Sequence, residues 1–294
     1  MGYGHDHNHH SGNIKTAFFL NLGFTLIEIV GGLLTNSMAI LADAIHDLGD
    51  SISLGMAWYF DHLAHRERTD SYSYGYKRFS VVGAIINAII LLSGSIYIII
   101  ETIPRLINPA NPDALGMVWL AILGVLVNGA AVFKLKKGHT INEKVVYLHL
   151  LEDVLGWIAV LMGALIMHFF DAPIIDPILS LAISAFILVN VFKNFRSVFS
   201  IIMQGVPDTA NLKEITTLIK NQEQVHDVHD LHIWSMDGEY NVLTAHIVVP
   251  DHTDLNKLTT IKQSIARQLV KQNIHHTTLE FEKVSEQCDY EAQH

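Results

Sequence analysis

A single cysteine, Cys288, rules out an internal disulfide framework and any C-x-x-C redox or zinc motif. Charge is scarce too: 16% of the 294 residues are Asp, Glu, Lys or Arg, against about a quarter in ordinary soluble domains. There is no Gly-rich phosphate loop, nucleophile elbow or H-E-x-x-H, so nothing points to nucleotide hydrolysis, acyl transfer or zincin chemistry. Basic residues are the scarcer sign, 19 against 29 acidic. From residue 206 onward 7 Lys and Arg face 14 Asp and Glu, a net charge of −7. Such a surface repels phosphate backbones and concentrates cations, which excludes nucleic acid as a partner. The first residues also lack the basic n-region of a secretory signal, since only Lys15 is positive before the first apolar run.

What the chain has in abundance is apolar sequence and histidine: half of it is hydrophobic, and 18 residues are His. Residues 79–100 hold no charge for 22 positions and residues 114–133 none for 20. A helix needs about 20 such residues to cross the hydrocarbon core, so these two runs declare a membrane protein. Apolar runs at 16–35, 38–60, 79–101, 114–133, 145–169 and 174–192 predict six transmembrane helices, separated by turn signals such as Asn36-Ser37 and the two Asn-Pro pairs near 108–112. An even number of spans puts both termini on one side. That side carries eleven Lys and Arg before residue 206, and the other carries Arg105 alone. Positive residues stay inside, so the expectation is a multi-pass protein of the cell membrane with both termini cytoplasmic.

Three regions are expected: a His-containing cytoplasmic tail over 1–13, a six-span domain over 14–205 and a cytoplasmic domain over 206–294. In the tail, His5, His7, His9 and His10 are readable either as a solvated or tag-like stretch or as fluctuating metal capture without fixed geometry. The C-terminal region predicts a small α+β domain. Helices are expected over 211–221, with Asp208 as a cap, and over 255–273; strands are expected over 228–234, 240–249 and 277–284.

The ionisable residues inside the expected spans carry the functional signal. Glu28 lies in the first, Asp43, His46, Asp47 and Asp50 in the second, and His149, Glu152 and Asp153 in the fifth. Each charge at the bilayer centre costs at least about 2.5–3.5 kcal/mol, so each needs a partner or a task. His46 and Asp50 are four apart, as are His149 and Asp153, so each pair projects from one helix face. Facing one another, the two helices present two imidazoles and two carboxylates, a set that suits tetrahedral Zn²⁺. Calcium would require six to eight oxygens and magnesium would keep its waters. Structural helix-to-helix hydrogen bonds would explain one such pair, but two with identical spacing favour a metal site. Asp43 and Asp47 are expected to orient ligands or hold water, and Glu28 and Glu152 to make polar contacts.

These stretches resemble the cation diffusion facilitator family of zinc and cadmium exporters. SMAILADAIHDLGD resembles that family's S-x-A-x-L-A-D-A-x-H-x-x-x-D signature, LHLLEDVLGW its fifth-span H-x-x-x-D, DPILSLAIS the start of its sixth span, and HDLHIWS the opening strand of its cytoplasmic domain. The resemblance implies a homodimer in the lipid bilayer that exports divalent metal ions, zinc above all, in exchange for protons. It places the transport ligands on His46, Asp50, His149 and Asp153. It also implies regulatory Zn²⁺ in a metallochaperone-like, ferredoxin-like cytoplasmic domain, with ligands on His229, His246, His275 and Glu282, and His232 and Glu280 as near misses. Lys77 and Asp208 match a basic–acidic pair that relatives place where the two domains meet. The chain departs from some relatives in the loop between spans two and three, where Tyr72 and Tyr76 replace imidazoles, so a metal site there is expected to be absent.

The rivals are weaker. A membrane metallopeptidase would need a histidine where Asp153 stands, and an open ligand position for water. A non-transporting sensor would not need the four intramembrane ligands, and a passive uniporter would need no proton coupling. The expected reading is a transporter and not an enzyme.

Overall fold

A computed structural model of the chain describes residues 8–64, 69–135 and 141–286. Outside them lie His5, His7 and Cys288, as do Arg66, Arg68, Lys136 and Lys137 of the charge asymmetry. Six long helices come first: α1 (Asn8–Thr35), α2 (Met38–Ala64), α3 (Phe79–Ile107), α4 (Ala114–Leu135), α5 (Ile141–Phe170) and α6 (Ile175–Ile202). Five of them, all but α2, contain a stretch long and apolar enough to cross a membrane. Helix α2 is 27 residues long but carries Asp43, Asp47 and Asp50, which breaks its apolar character. The protein is thus of the helical membrane type.

Two compact units divide the chain. The first takes α1, α2, α4, α5 and most of α3 and α6; the second takes the sheet, its two helices and the segment leading into α3. The last turns of α6 from Arg196 belong to the second unit, about ten residues before the expected boundary at 205/206. Helix α6 also runs to Ile202 where the apolar run ended near 192. Lys193, Asn194 and Arg196 end the apolar pattern, but all are compatible with continued helix. Likewise α1 begins at Asn8, inside the segment expected as tail.

In the first unit α1 packs along α2 and α4 along α5. Trp157 of α5 is 1% exposed and meets Phe24 of α1 edge-on at 5.9 Å between ring centres. A side chain at Gly124 of α4 would collide with its indole, so only glycine permits this close approach. Trp157 lies one turn after Asp153, and its packing sets the rotation of the ligand-bearing face of α5. On α2, Asn21 of α1 donates to the Asp47 carbonyl at 3.1 Å and to Ser51 Oγ at 3.0 Å, which anchors the turn carrying His46 and Asp50.

The second unit contains α7 (Leu212–Lys220), β1 (Asp227–Ser235), β2 (Asn241–Val249), α8 (Leu255–Lys271) and β3 (Ile274–Lys283). The sheet order is β1-β2-β3, antiparallel then parallel. Both helices lie on one face, where Ile215, Ile219, Ile261, Ile265 and Leu269 meet Leu243, Ala245, Ile247 and Val249. The alternation of β2 therefore sends Thr244, His246 and Val248 to the other face. Asn211, not Asp208, caps α7: its side chain accepts from the Lys213 and Glu214 amides. Asp254 caps α8 as expected, accepting from Lys257 N–H at 2.8 Å.

Candidate metal centres

In the first unit His46 and Asp50 of α2 meet His149 and Asp153 of α5. One ligand atom from each lies within 4.8 Å of all the others. His149 Nε2 is 3.1 Å from Asp50 Oδ2, and His46 Nε2 is 3.8 Å from both Asp50 Oδ2 and Asp153 Oδ1. A tetrahedral ion with bonds of about 2.1 Å holds its ligand atoms about 3.4 Å apart. The separations of 3.1 and 3.8 Å lie on either side of that value. Asp153 Oδ1 is buried without a hydrogen-bond donor, leaving lone pairs free for a cation. Asp43, Asp47 and Glu28 are buried in the same bundle; Asp43 Oδ2 and both Glu28 oxygens have no hydrogen-bond donor.

A second group forms on the open face of the sheet. His229, His246 and Glu282 each bring a ligand atom within 4.8 Å of the others. His246 Nδ1 is 2.5 Å from Glu282 Oε1, and His229 Nε2 is 3.2 Å from Glu282 Oε2. His229 Nε2 is buried and, despite that proximity, has no well-aligned hydrogen bond, so its lone pair suits a metal better than a carboxylate. Two further carboxylates approach His246 Nε2: Asp230 Oδ2 at 3.5 Å and Glu280 Oε2 at 3.6 Å. Asp230 also holds His232 at 2.9 Å.

Asp230 is a donor that the residue pattern does not reveal. It sits at the irregularity between His229 and His232, where β1 and β2 lose register, with a φ of 45°. Aspartate tolerates that left-handed backbone, and the bulge turns its side chain toward His246.

His275 is not brought into this group. On β3 the step from Ile274 to His276 matches a single step on β2, from Asn241 to Val242, leaving His275 as the extra residue. Its ring stacks on Tyr240 at 5.2 Å and 23°, and its Nδ1 accepts the Asn241 N–H at 3.3 Å. Lys77 and Asp208, expected as a pair, form no ion pair among the described residues; the Lys77 ammonium sits over the Tyr240 ring, 4.1 Å from its centre. Tyr72, Tyr76 and Phe79 pack together, with ring centres 5.1–5.7 Å apart. Elsewhere on this unit, Lys220 Nζ stands 2.5 Å from Asp227 and holds that carboxyl below its usual range.

Residues 14–203 match the family model of the cation efflux transmembrane domain, and residues 207–284 match that of the cation efflux protein cytoplasmic domain. A Bacillus subtilis (strain 168) protein named cadmium, cobalt and zinc/H(+)-K(+) antiporter is 32% identical over 286 residues, covering 96% of this chain and 92% of the relative. The metal cation efflux system protein CzcD of Cupriavidus metallidurans is 33% identical over 302 residues, covering 100% of this chain and 94% of its own. The zinc transporter ZitB of Escherichia coli (strain K12) is 30% identical over 292 residues, covering 95% and 92%. The matches run through both units and through both groups of candidate ligands, and the chain belongs to the cation efflux family.

Proposed function

We propose that this protein expels zinc from the cytoplasm in exchange for protons, and that His46, Asp50, His149 and Asp153 hold the ion in transit. The observation that carries the reading is the meeting of these four side chains, within 4.8 Å, between two long helices of the bundle. A 2-His, 2-carboxylate set supplies both charge neutralisation and the imidazoles that favour zinc over calcium or magnesium. Relatives named for cadmium, cobalt and zinc antiport and for zinc transport support the same direction.

In this reading α2 is the sixth span, its aspartates tolerated because they face the ion and the interior of the bundle. The helical bundle lies in the cell membrane with both termini and the second unit cytoplasmic, and the protein is a homodimer, which the name of the C-terminal family model, with its reference to a dimer, supports. The second unit, with its α–β–β–α–β order, is a ferredoxin-like domain lacking the first strand. His229, His246 and Glu282, with Asp230 as the fourth donor, are the residues that would hold a regulatory zinc ion there.

Proton coupling follows from the donor set. A metal-bound imidazole is deprotonated, so protons and zinc compete for His46 and His149, and an acidic exterior promotes release. Zinc flux in proteoliposomes, wild type against His46→Ala, tests the site. Wild-type flux with no flux in the variant is expected, and equal flux would refute it. Inside-out vesicles with an acidified lumen test the coupling: they should load zinc against its gradient, and nigericin should abolish that loading.

A further inference from the structure

The bundle of the first unit is not held equally at its two ends. The α1–α2 turn is tied to three other helices. Arg105 of α3 donates to the Asn36 carbonyl at 3.0 Å, and the Asp113 amide ahead of α4 donates to the Thr35 carbonyl at 2.8 Å. The third tie is the most buried. Asp176, in the first turn of α6 and 1% exposed, accepts from Ser37 Oγ at 2.5 Å, Met38 N–H at 2.9 Å and Ala39 N–H at 3.2 Å. Both of its oxygens are used on α2, whose first amides would otherwise lack partners, and its charge meets the positive end of the α2 dipole. Thr102 and Ser180, 3.1 Å apart, join α3 to α6 one turn further along.

Toward the other end, past Asp50, Asn87 of α3 donates to Ser53 Oγ of α2 at 2.8 Å, an exposed contact in place of a buried one. Ligand exposure follows the same direction. His46 and Asp153, on the turns nearer the tied end, are 19% and 9% exposed; Asp50 and His149, one turn further away, are 26% and 41% exposed.

We infer that Asp176 is a positioning residue that fastens the start of α2 to the start of α6, making that end the fixed pivot about which the ligand-bearing part of α2 moves. The inference rests on the transporter reading above. Releasing the tie would leave a buried carboxylate and three donors without partners, which is far more costly than separating ligand atoms that an ion or water can satisfy. The tie therefore persists while the ligand pairs of α2 and α5 part and meet. Asp176 touches no ligand, so it acts on the rate of the motion and not on the affinity of the site.

The test uses the full-length chain in proteoliposomes. Asp176→Asn should leave the KM for zinc within about twofold and lower the maximal rate about tenfold or more, with the rate expressed per zinc-binding chain so that an inactive fraction does not enter it. Hydrogen exchange at the Met38 and Ala39 amides should quicken in the same variant. A second variant, Ser37→Cys with Asp176→Cys in a Cys288→Ser background, replaces the tie by a covalent one. Reduced, it should transport slowly; oxidised, it should regain the rate. Transport when reduced but not when oxidised would show a latch that must open, and would overturn the pivot. So would a wild-type rate for Asp176→Asn. Should wild type itself move no zinc, the transporter reading falls and the pivot with it; amide exchange unchanged by Asp176→Asn would instead remove the tie, whatever is transported.

Discussion

The two candidate metal centres are built from similar side chains on opposite kinds of scaffold. In the bundle, four ligands come from two helices as two i, i+4 pairs, and each helix supplies half of the site. On the sheet, the ligands come from three strands, one or two at a time, and depend on register and on a bulge at Asp230. The difference bears on task. A site split between two helices changes when they move, which suits an ion in transit. A site spread across hydrogen-bonded strands is held by the ladder and suits an ion that stays.

The largest effect should come from breaking the helical centre. Asp153→Ala should lower zinc flux about a hundredfold or more, while size-exclusion elution keeps the position of the intact protein. Flux at the wild-type rate from normally assembled protein would contradict the assignment. A subtler change at the same centre is His46→Asp, which makes the set harder and more tolerant of geometry. The zinc-to-manganese or zinc-to-cadmium transport ratio should drop about tenfold, measured by competition flux. Unchanged ratios for both competitors would place selectivity elsewhere.

The sheet centre is sharpened by counting metal. In full-length protein carrying His46→Ala and His149→Ala, zinc retained per chain should fall with His246→Ala and stay the same with His275→Ala, since His275 is stacked on Tyr240. Asp230→Asn should weaken binding there about tenfold. If His275→Ala lost the ion and Asp230→Asn did not, the ligand set of the sheet would have to be redrawn. The smallest effect lies outside both centres. Because the Lys220 ammonium depresses the Asp227 carboxyl in the folded state, this pair adds stability above the ordinary carboxylate pKa of about 3.9 and loses it as pH falls through the lowered value. Both side chains are half exposed, so the gain is below about 1 kcal/mol. Wild type should melt slightly above Lys220→Met at pH 7, and the gap should close near pH 3. A gap of equal size at both values would show that the charge pair contributes nothing.

Most of the helical part could be read from residue order, because helix formation and membrane burial are governed by near neighbours. Runs of apolar residues located the long helices, and His46–Asp50 and His149–Asp153 could be paired by spacing alone, since 3.6 residues per turn fixes which side chains share a face. The strands and helices of the second unit were likewise legible, within a few residues at each end. The His275 expectation failed to meet the sheet geometry for a local reason. Expected to precede a strand beginning at residue 277, His275 was free to point anywhere; in a strand beginning at Ile274, with an irregularity beside it, it is diverted onto Tyr240.

Residue order thus sufficed for what depends on a turn of helix or on length against bilayer thickness: the apolar spans, and the two halves of the helical centre. It did not suffice where partners are far apart in the chain. That Asp176 caps a helix 138 residues away, that Asp230 reaches His246 across a bulge, and that Lys77 lies on Tyr240 instead of pairing with Asp208 all depend on packing between elements. Such contacts arise from the shapes that neighbouring segments leave for one another, and no local periodicity encodes them.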